Sequence, residues 1–189
     1  MKIIAVAGTP GTGKTALAKL LAKKLNANLI SINILARKIP GTMDKKRKTK
    51  VIDIRLLQKA AASRLKKGLN IIEGHPSHLL RADIVIVLRT DPVVLKKRLK
   101  KHGWDAAKIR ENVEAEMLDV VTIEALEKHR KGIIEVDTTG KTVSQVSKPV
   151  MATIERLLKS SHKTNIKFKQ AGVNWSGKYT MKIAMVDEL

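Results

Sequence analysis

The chain has 189 residues, of which 43% are hydrophobic and 29% charged, a composition typical of one folded domain rather than a disordered chain. It holds 38 Lys and Arg against 17 Asp and Glu, and the resulting net charge of +21 favours polyanionic partners such as nucleic acid. Because the chain has no Cys, we exclude disulfide scaffolds, cysteine nucleophiles and thiolate metal sites. It has no apolar run long enough to span a membrane, and we expect a cytoplasmic protein without signal peptide or membrane partner.

Short apolar runs alternate with longer amphipathic segments as far as about residue 159. The apolar runs show little polar alternation and predict strands covered on both faces, at 3–7, 29–32, 69–73, 84–88 and 133–136. The amphipathic segments predict helices at about 14–25, 52–67, 92–101, 105–129 and 142–159. This alternation predicts an α/β fold with a parallel sheet and helices on both faces.

The loop after the first predicted strand reads Gly-Thr-Pro-Gly-Thr-Gly-Lys-Thr at 8–15 and opens the first predicted helix. This is the phosphate-loop pattern in the context that it requires, since glycines let backbone N–H groups turn toward a phosphate at a helix N-terminus. We expect Lys14 to reach the β- and γ-phosphates and the Thr15 hydroxyl to bind Mg²⁺. ATP and Mg²⁺ are therefore the expected cofactors.

Residues 37–50 depart from the alternating pattern and are predicted to form an exposed insertion. Only one acid, Asp44, stands among seven basic residues: Arg37, Lys38, Lys45, Lys46, Arg47, Lys48 and Lys50.

The third predicted strand ends in Glu73, followed by Gly74 and His75. A nucleotide site needs a second acid near the metal, so Glu73 is a candidate Mg²⁺ residue acting through water. The alternative for Glu73 is a strand-end carboxylate paired with a surface lysine. His75 could orient a water or a phosphate, and its alternative is a packing role in the loop.

The third predicted helix, at about 92–101, carries Arg98 and runs into a turn at Gly103. This arrangement suits a short lid that closes over ATP, and the alternative is a solvated basic helix face. No Asn-Lys-x-Asp motif of a GTPase occurs in the chain. The pattern therefore favours a small kinase, which positions two substrates and neutralises the transferring phosphoryl group with Lys, Arg and Mg²⁺.

The fourth predicted helix, at about 105–129, is acidic although the chain as a whole is basic. Its apolar positions recur at helical spacing, so we expect the helix to pack on the core and to present its acids outward. The acids are Asp105, Glu111, Glu114, Glu116, Asp119, Glu124 and Glu127. Such a face suits a basic partner, and the alternative is a solvated face that aids solubility.

Together with the phosphate loop, three further segments carry a family resemblance: Ile-Glu-Gly-His at 72–75, Val-Leu-Arg-Thr-Asp-Pro at 87–92 and Glu-Asn-Val-Glu-Ala-Glu at 111–116. The chain resembles an archaeal version of the atypical adenylate kinases of the isoenzyme-6 type, over about 1–159. The resemblance implies a P-loop NTPase core of the nucleoside monophosphate kinase type with a five-stranded parallel sheet. It also implies ATPase activity beside broad nucleoside monophosphate kinase activity on AMP-like acceptors.

The family acts in late maturation of small-subunit ribosomal RNA. The resemblance therefore implies contacts with ribosomal RNA and with a small-subunit ribosomal protein of the S-eleven type. An alternative is an ATP-gated assembly factor that binds such a partner and uses hydrolysis for release, with little kinase turnover. A third reading is an unrelated small-molecule kinase on the same fold.

The resemblance also implies a domain organisation. The kinase domain covers 1–159, with its core at 1–30, 69–100 and 112–159, a monophosphate-binding segment at about 31–54 and a lid at about 101–111. From its own residues, we expect the tail at 160–189 to dock as a short strand, since Tyr179, Met181, Ile183 and Met185 fall at period two, and the alternative is a disordered tail.

Carried over by position, the site residues fall into four groups. The ATP phosphates are surrounded by Gly11, Gly13, Lys14, Thr15 and Ala16, and Glu73 and His75 occupy the strand-three motif. Lys141 lies in the loop that contacts adenine, and Asp53 matches an acid of the monophosphate segment. Three features depart from the family pattern: Ala16 replaces a common hydroxyl residue, His102 replaces a lid Arg, and the 37–50 insertion is basic.

Overall fold

The computed structural model describes residues 1–45, 49–129 and 132–159, together with 173 and 175. Its strands are β1 (Lys2–Gly8), β2 (Asn28–Ser31), β3 (Thr42–Asp44), β4 (Thr49–Val51), β5 (Leu69–Glu73), β6 (Ile84–Arg89) and β7 (Ile133–Asp137). Its helices are α1 (Lys14–Lys24), α2 (Ile32–Lys38), α3 (Ile54–Ala62), α4 (Pro92–Lys101), α5 (Ala106–Met117), α6 (Val120–Lys128) and α7 (Val143–Lys159), with a 3₁₀ turn at His75–Leu79.

Five strands form one parallel sheet in the order β2-β5-β1-β6-β7, as the sequence predicts. The register places Val6 of β1 beside Glu73 of β5 and beside Ile86 of β6. Because parallel strands end at the same edge, the loops that follow β1, β5 and β6 lie together there.

Helices cover both faces of the sheet. Successive side chains of β1 point to opposite faces, and on each face they pack against a different set of helices. Ile4 and Val6 face α1 and α7, in a cluster completed by residues such as Leu17, Leu21, Val150 and Ile154. Ile3, Ala5 and Ala7 point to the other face, where α2, α3 and α6 pack through Ile32, Leu57, Ala61, Val121 and Ala125.

The helices α4 and α5 pack against each other at the place where the sequence predicts a lid. Their contact is a separate apolar cluster of Leu95, Leu99, Ile109, Val113 and Met117. Asp91 and Asp105 cap the two helices, accepting hydrogen bonds from the backbone N–H groups of Val93 and Lys108 at 2.9 Å each. The turn between the helices contains Gly103 with a φ of 73°.

The predicted helix at 105–129 is wrong as a single element. It is divided into α5 and α6 at Asp119, whose φ of 57° is left-handed and ends the α5 backbone hydrogen-bond pattern. The Asp119 carboxylate is held by Arg89, a contact that no local pattern reveals.

The segment at 31–54 also contains more structure than its sequence indicates. It holds α2 and a hairpin of β3 and β4, in which Thr42 pairs with Val51. The predicted helix at 52–67 is shorter, because α3 ends at Ala62.

The proposed tail at 160–189 lies, apart from residues 173 and 175, outside the described residues. No helix in the described part of the chain combines the length and the apolar character that a membrane span requires.

Candidate functional site

A tight loop joins the end of β1 to the start of α1. Gly8, Gly11 and Gly13 have φ angles of 136°, 89° and 95°, which side chains other than glycine rarely adopt. The Thr12 N–H donates to the Thr9 carbonyl at 3.3 Å and closes a turn within the loop. No side chain caps α1, so the N–H groups of its first turn can receive an anion. The phosphate loop predicted from the motif is therefore present.

The side chain of Lys14 lies beneath this loop and is 9% exposed. Its Nζ donates to the Thr9 carbonyl at 2.9 Å. Burial lowers the pKa of Lys14 to about 8, although the carboxylates of Glu73 and Glu116 act in the opposite direction. A phosphate placed in the loop would add negative charge beside Nζ and favour its protonated form.

Glu73 ends β5 beside the loop and is 2% exposed. Its Oε2 accepts a hydrogen bond from the Thr15 hydroxyl at 3.0 Å, and its Oε1 accepts one from the Ser31 hydroxyl at 2.6 Å. The alternative of a surface carboxylate paired with lysine therefore does not describe this position. The sheet register brings together the two residues that the sequence predicts for Mg²⁺.

The donor set around Glu73 fits Mg²⁺, which prefers oxygen ligands and keeps several waters and phosphate oxygens in its shell. Thr15 supplies a hydroxyl oxygen and Glu73 supplies a carboxylate oxygen within hydrogen-bond distance of each other. In the described ranges, no three His, Cys, Asp or Glu side chains form a metal-binding cluster. A metal held by few protein ligands and by nucleotide oxygens is consistent with both observations.

His75 follows β5 and stands beside the phosphate loop, with its Nδ1 3.2 Å from the Gly8 carbonyl. Burial lowers the pKa of His75, and the positive charge of Lys14 acts in the same direction, so the ring is neutral at pH 7. Its neighbour His78 is buried, and its Nε2 lies 2.8 Å from Oε2 of Glu124 in α6. His78, rather than His75, is the fully buried histidine of this turn.

A smaller cavity of about 240 Å³ opens on one side of the phosphate loop. Its walls come from the loop, from α4 and from the segment after β7: Gly11, Thr12, Gly13, Leu17, Leu88, Arg98, Thr138, Lys141, Val143 and Val146. Four residues expected at the ATP site from their sequence positions therefore line one cavity: Gly11, Gly13, Arg98 and Lys141.

Arg98 contacts the loop directly rather than lying on a solvated face. Its Nη1 donates to the Gly11 carbonyl at 3.2 Å, and its Nη2 donates to the Thr138 carbonyl at 3.4 Å. Lys141 donates from Nζ to the Asp137 carbonyl at 2.9 Å. These contacts place two cations at the rim of the smaller cavity.

A larger cavity of about 620 Å³ borders the loop at Pro10 and is lined by the β3–β4 hairpin and α5. Its lining residues are Pro10, Asp44, Thr49, Lys50, Val51, His75, Trp104, Asp105, Lys108, Glu111 and Asn112. Lys108 spans this space, because its Nζ donates to the Thr49 hydroxyl of the hairpin at 3.1 Å and to Glu111 at 2.8 Å. Trp104 and Lys108 were not predicted as site residues.

Three other predicted positions lie outside these contacts. Ala16 is exposed on the first turn of α1, and His102 is exposed at the C-terminal end of α4 and lines neither cavity. Asp53 accepts a hydrogen bond from the Arg55 N–H at 2.7 Å and caps α3. In the structure, Asp53 therefore stabilises the N-terminus of α3.

The expectation that all acids of the 105–127 segment face outward is wrong for Glu116 and Asp119. Glu116 is 2% exposed and contacts Arg89 at 2.8 Å, and Arg89 also binds Asp119 and Glu135. Burial alone would lower the pKa of Arg89, but these carboxylates raise it, so Arg89 is charged. A charged residue at the end of the apolar strand β6 was the one sequence signal for this cluster.

The Glu116 carboxylate also reaches the phosphate loop, where it accepts a hydrogen bond from the Thr9 hydroxyl at 2.5 Å. Neither was predicted as a site residue, and Glu116 was expected on the outward acidic face.

Residues 4–119 match a family model described as an AAA domain. The chain is 42% identical over 178 residues to a protein of Thermococcus kodakarensis named "Putative adenylate kinase", covering 94% of each chain. It is 38% identical over 173 residues to a protein of the same name from Archaeoglobus fulgidus, covering 92% of this chain and 91% of the relative.

Two solved structures show that the fold is shared more widely. Thymidylate kinase from Candida albicans superposes with a TM-score of 0.54 at 18% identity, covering 82% of this chain and 91% of that one. Shikimate kinase from Acinetobacter baumannii superposes with a TM-score of 0.59 at 16% identity, covering 82% and 94%. At these identities the likeness concerns the fold alone.

Proposed function

Since this chain belongs to the family of archaeal proteins named "Putative adenylate kinase", we propose that it transfers the γ-phosphate of ATP to AMP or a similar nucleoside monophosphate. The observation that carries this proposal is the position of the phosphate loop between two cavities. Gly11, Thr12 and Gly13 line the smaller one, and Pro10 lines the larger one. A donor and an acceptor nucleotide can therefore meet at the same loop, each from its own cavity.

In this proposal the smaller cavity receives the nucleoside of ATP. The backbone N–H groups of the loop and Lys14 bind its phosphates, while Arg98 and Lys141 stand at the rim. Positioned cations of this kind stabilise the charge that spreads over the transferring phosphoryl group. Arg98 is well placed for this, since it already contacts the Gly11 carbonyl of the loop.

Thr15 and Glu73 would hold Mg²⁺ with the ATP phosphates. The bound ion would neutralise phosphate charge and orient the γ-phosphate. Ser31 contributes by holding the second oxygen of Glu73 at 2.6 Å, which fixes the direction of the carboxylate.

The larger cavity would receive the acceptor monophosphate. Lys108 and Lys50 supply cations in its wall, and Trp104 supplies an aromatic face on which a base can stack. Stacking depends little on which base is present. The proposed acceptor range is therefore broad.

We also propose ATP hydrolysis at the same site. His75 is neutral and lies between the loop and the larger cavity, so its ring can orient a water when the acceptor is absent. Closure of α4 and α5 over an acceptor would exclude that water and favour transfer.

The isoenzyme-6 resemblance extends this proposal to the late maturation of small-subunit ribosomal RNA in the cytoplasm. Its partners would be ribosomal RNA and an S-eleven-type ribosomal protein, and hydrolysis would release the chain after assembly. What favours such a binding role is the charge balance of 38 basic to 17 acidic residues, far more than a nucleotide site requires.

A coupled assay of ADP formation from ATP, with and without AMP, tests the enzymatic proposal. We expect ADP to form several-fold faster with AMP present, with both rates lost in Lys14→Met. Equal rates with and without AMP, stimulated by RNA, would instead support the assembly-factor reading. Neutralising Lys45, Lys46, Arg47 and Lys48 should then weaken RNA binding and reduce its salt dependence.

A further inference from the structure

A buried hydrogen bond joins the phosphate loop to α5. The Thr9 hydroxyl donates to Oε2 of Glu116 at 2.5 Å, and the two residues are 1% and 2% exposed. They are 107 positions apart in the chain. A hydrogen bond to a carboxylate in such a water-excluded place is among the stronger interactions that a hydroxyl can make.

The other oxygen of Glu116 is held from the opposite side. Oε1 accepts from Nε of Arg89 at 2.8 Å and from the Thr90 N–H at 3.0 Å. Arg89 is itself fixed by Asp119 and Glu135. Glu116 therefore has little freedom to rotate, and it presents a rigid acceptor to the loop.

The Thr9 backbone carbonyl is also the acceptor of three hydrogen bonds from Lys14 and Thr12. It accepts from Nζ of Lys14 at 2.9 Å, from the Thr12 hydroxyl at 2.8 Å and from the Thr12 N–H at 3.3 Å. A rotation of Thr9 would move the resting acceptor of Lys14 and the turn that precedes α1.

The helix pair α4–α5 touches the loop at a second point. Arg98 donates to the Gly11 carbonyl at 3.2 Å, and a side chain at Gly11 would meet Leu95 at 2.9 Å and Leu99 at 3.2 Å. The loop is thus fixed to α4 near Gly11 and to α5 at Thr9.

We propose that Glu116 is a positioning residue that holds the phosphate loop, through the Thr9 hydroxyl, in the conformation that binds the phosphates of ATP. The proposal rests on the function proposed above. It adds that α5, the helix that also lines the larger cavity, sets ATP affinity by this one contact.

The first test compares Thr9→Val with Thr9→Ser in the full chain, using direct ATP binding by calorimetry. Valine keeps the size of threonine but removes the donor, whereas serine keeps the donor. We expect Thr9→Val to weaken ATP binding about tenfold or more and Thr9→Ser to retain it within about threefold. The KM for AMP should change less than the ATP affinity, because the Thr9 carbonyl contacts Lys14 of the ATP phosphate site and Thr9 does not line the larger cavity.

The second test compares Glu116→Gln with Glu135→Gln. Both remove one carboxylate from Arg89, but Glu116 alone contacts Thr9. We expect Glu116→Gln to weaken ATP binding. In the double variant it should add little to the loss of ATP affinity that Thr9→Val causes alone. Glu135→Gln should lower the melting temperature and leave the ATP affinity unchanged.

Full ATP affinity in Thr9→Val, or an equal loss in Thr9→Ser, would overturn the proposal, since the hydroxyl would then not be the cause. A wild-type chain that binds ATP but forms no ADP from ATP and AMP would refute the kinase function. The ATP affinities of the Thr9 variants would still decide the role of Glu116.

Discussion

The lowered pKa of Lys14 predicts that ATP binding weakens at moderately alkaline pH. Burial brings this pKa from 10.5 to about 8 in the nucleotide-free protein. At pH 7 about ten molecules in eleven then carry a charged Lys14, and at pH 9 about one in eleven does. If only the charged form binds the phosphates, the apparent affinity for ATP falls about tenfold between these pH values.

Calorimetric titration with ATP and Mg²⁺ at constant ionic strength measures this effect. The pH is best varied from 7.5 upward, since the terminal phosphate, with a pKa near 6, is then ionised throughout. Lys14→Arg is the matched control, because its guanidinium stays charged over the whole range and its affinity, whatever its value, should be flat. A wild-type affinity that stays constant to pH 9.5 would refute the reasoning, because it would mean that Lys14 keeps its ordinary pKa.

The lowered pKa of Lys14 leads to a second prediction, which concerns the free energy of unfolding. Because the folded pKa of Lys14 lies below its unfolded value, the unfolded chain binds more protons between pH 8 and pH 10.5. The contribution of Lys14 to stability therefore rises with pH across this window. Urea titrations of wild type and Lys14→Met should show this rise as a difference between the two proteins.

Three further changes test other parts of the site. Glu73→Gln should raise the Mg²⁺ concentration needed for half-maximal ADP formation about 10- to 100-fold, with the melting temperature nearly unchanged. Lys108→Met should raise the KM for AMP about tenfold without changing the KM for ATP, since Lys108 lines only the larger cavity. Gly8→Ala should prevent stable folding, because the new Cβ would lie against the Leu88 carbonyl at a φ of 136°. The control is Gly68→Ala, which has open space around it and should lower the free energy of unfolding by only about 1 kcal/mol in a thermal melt.

The local patterns of the chain were enough to predict the strand–loop–helix unit at 2–24. Both the glycine spacing and the change from apolar run to amphipathic segment are properties of neighbouring residues, and they require no knowledge of distant contacts. Glu73 was predicted beside Thr15 for a related reason. Parallel strands end at one edge, so an acid at the end of β5 must lie near the loop that follows β1.

The inward orientation of Glu116 could not be predicted from local patterns. Its place in a run of acids on an amphipathic helix predicts exposure to solvent, but contacts with distant residues reverse that preference. Desolvating a carboxylate is unfavourable unless a cation and hydrogen-bond donors replace the water, and here they come from Arg89, Thr90 and Thr9. These partners lie 26 to 107 residues away in the chain.

The break between α5 and α6 has the same origin, since Asp119 adopts its left-handed backbone in contact with Arg89. The sequence by itself determined the strands of the parallel sheet and the position of the phosphate loop, because both follow from short-range periodicity and spacing. The tertiary structure alone decided which cavity each cation lines, that two cavities share one loop, and that two acids turn inward. Those properties depend on which groups meet across the fold, where burial makes each unpaired charge costly and each matched pair specific.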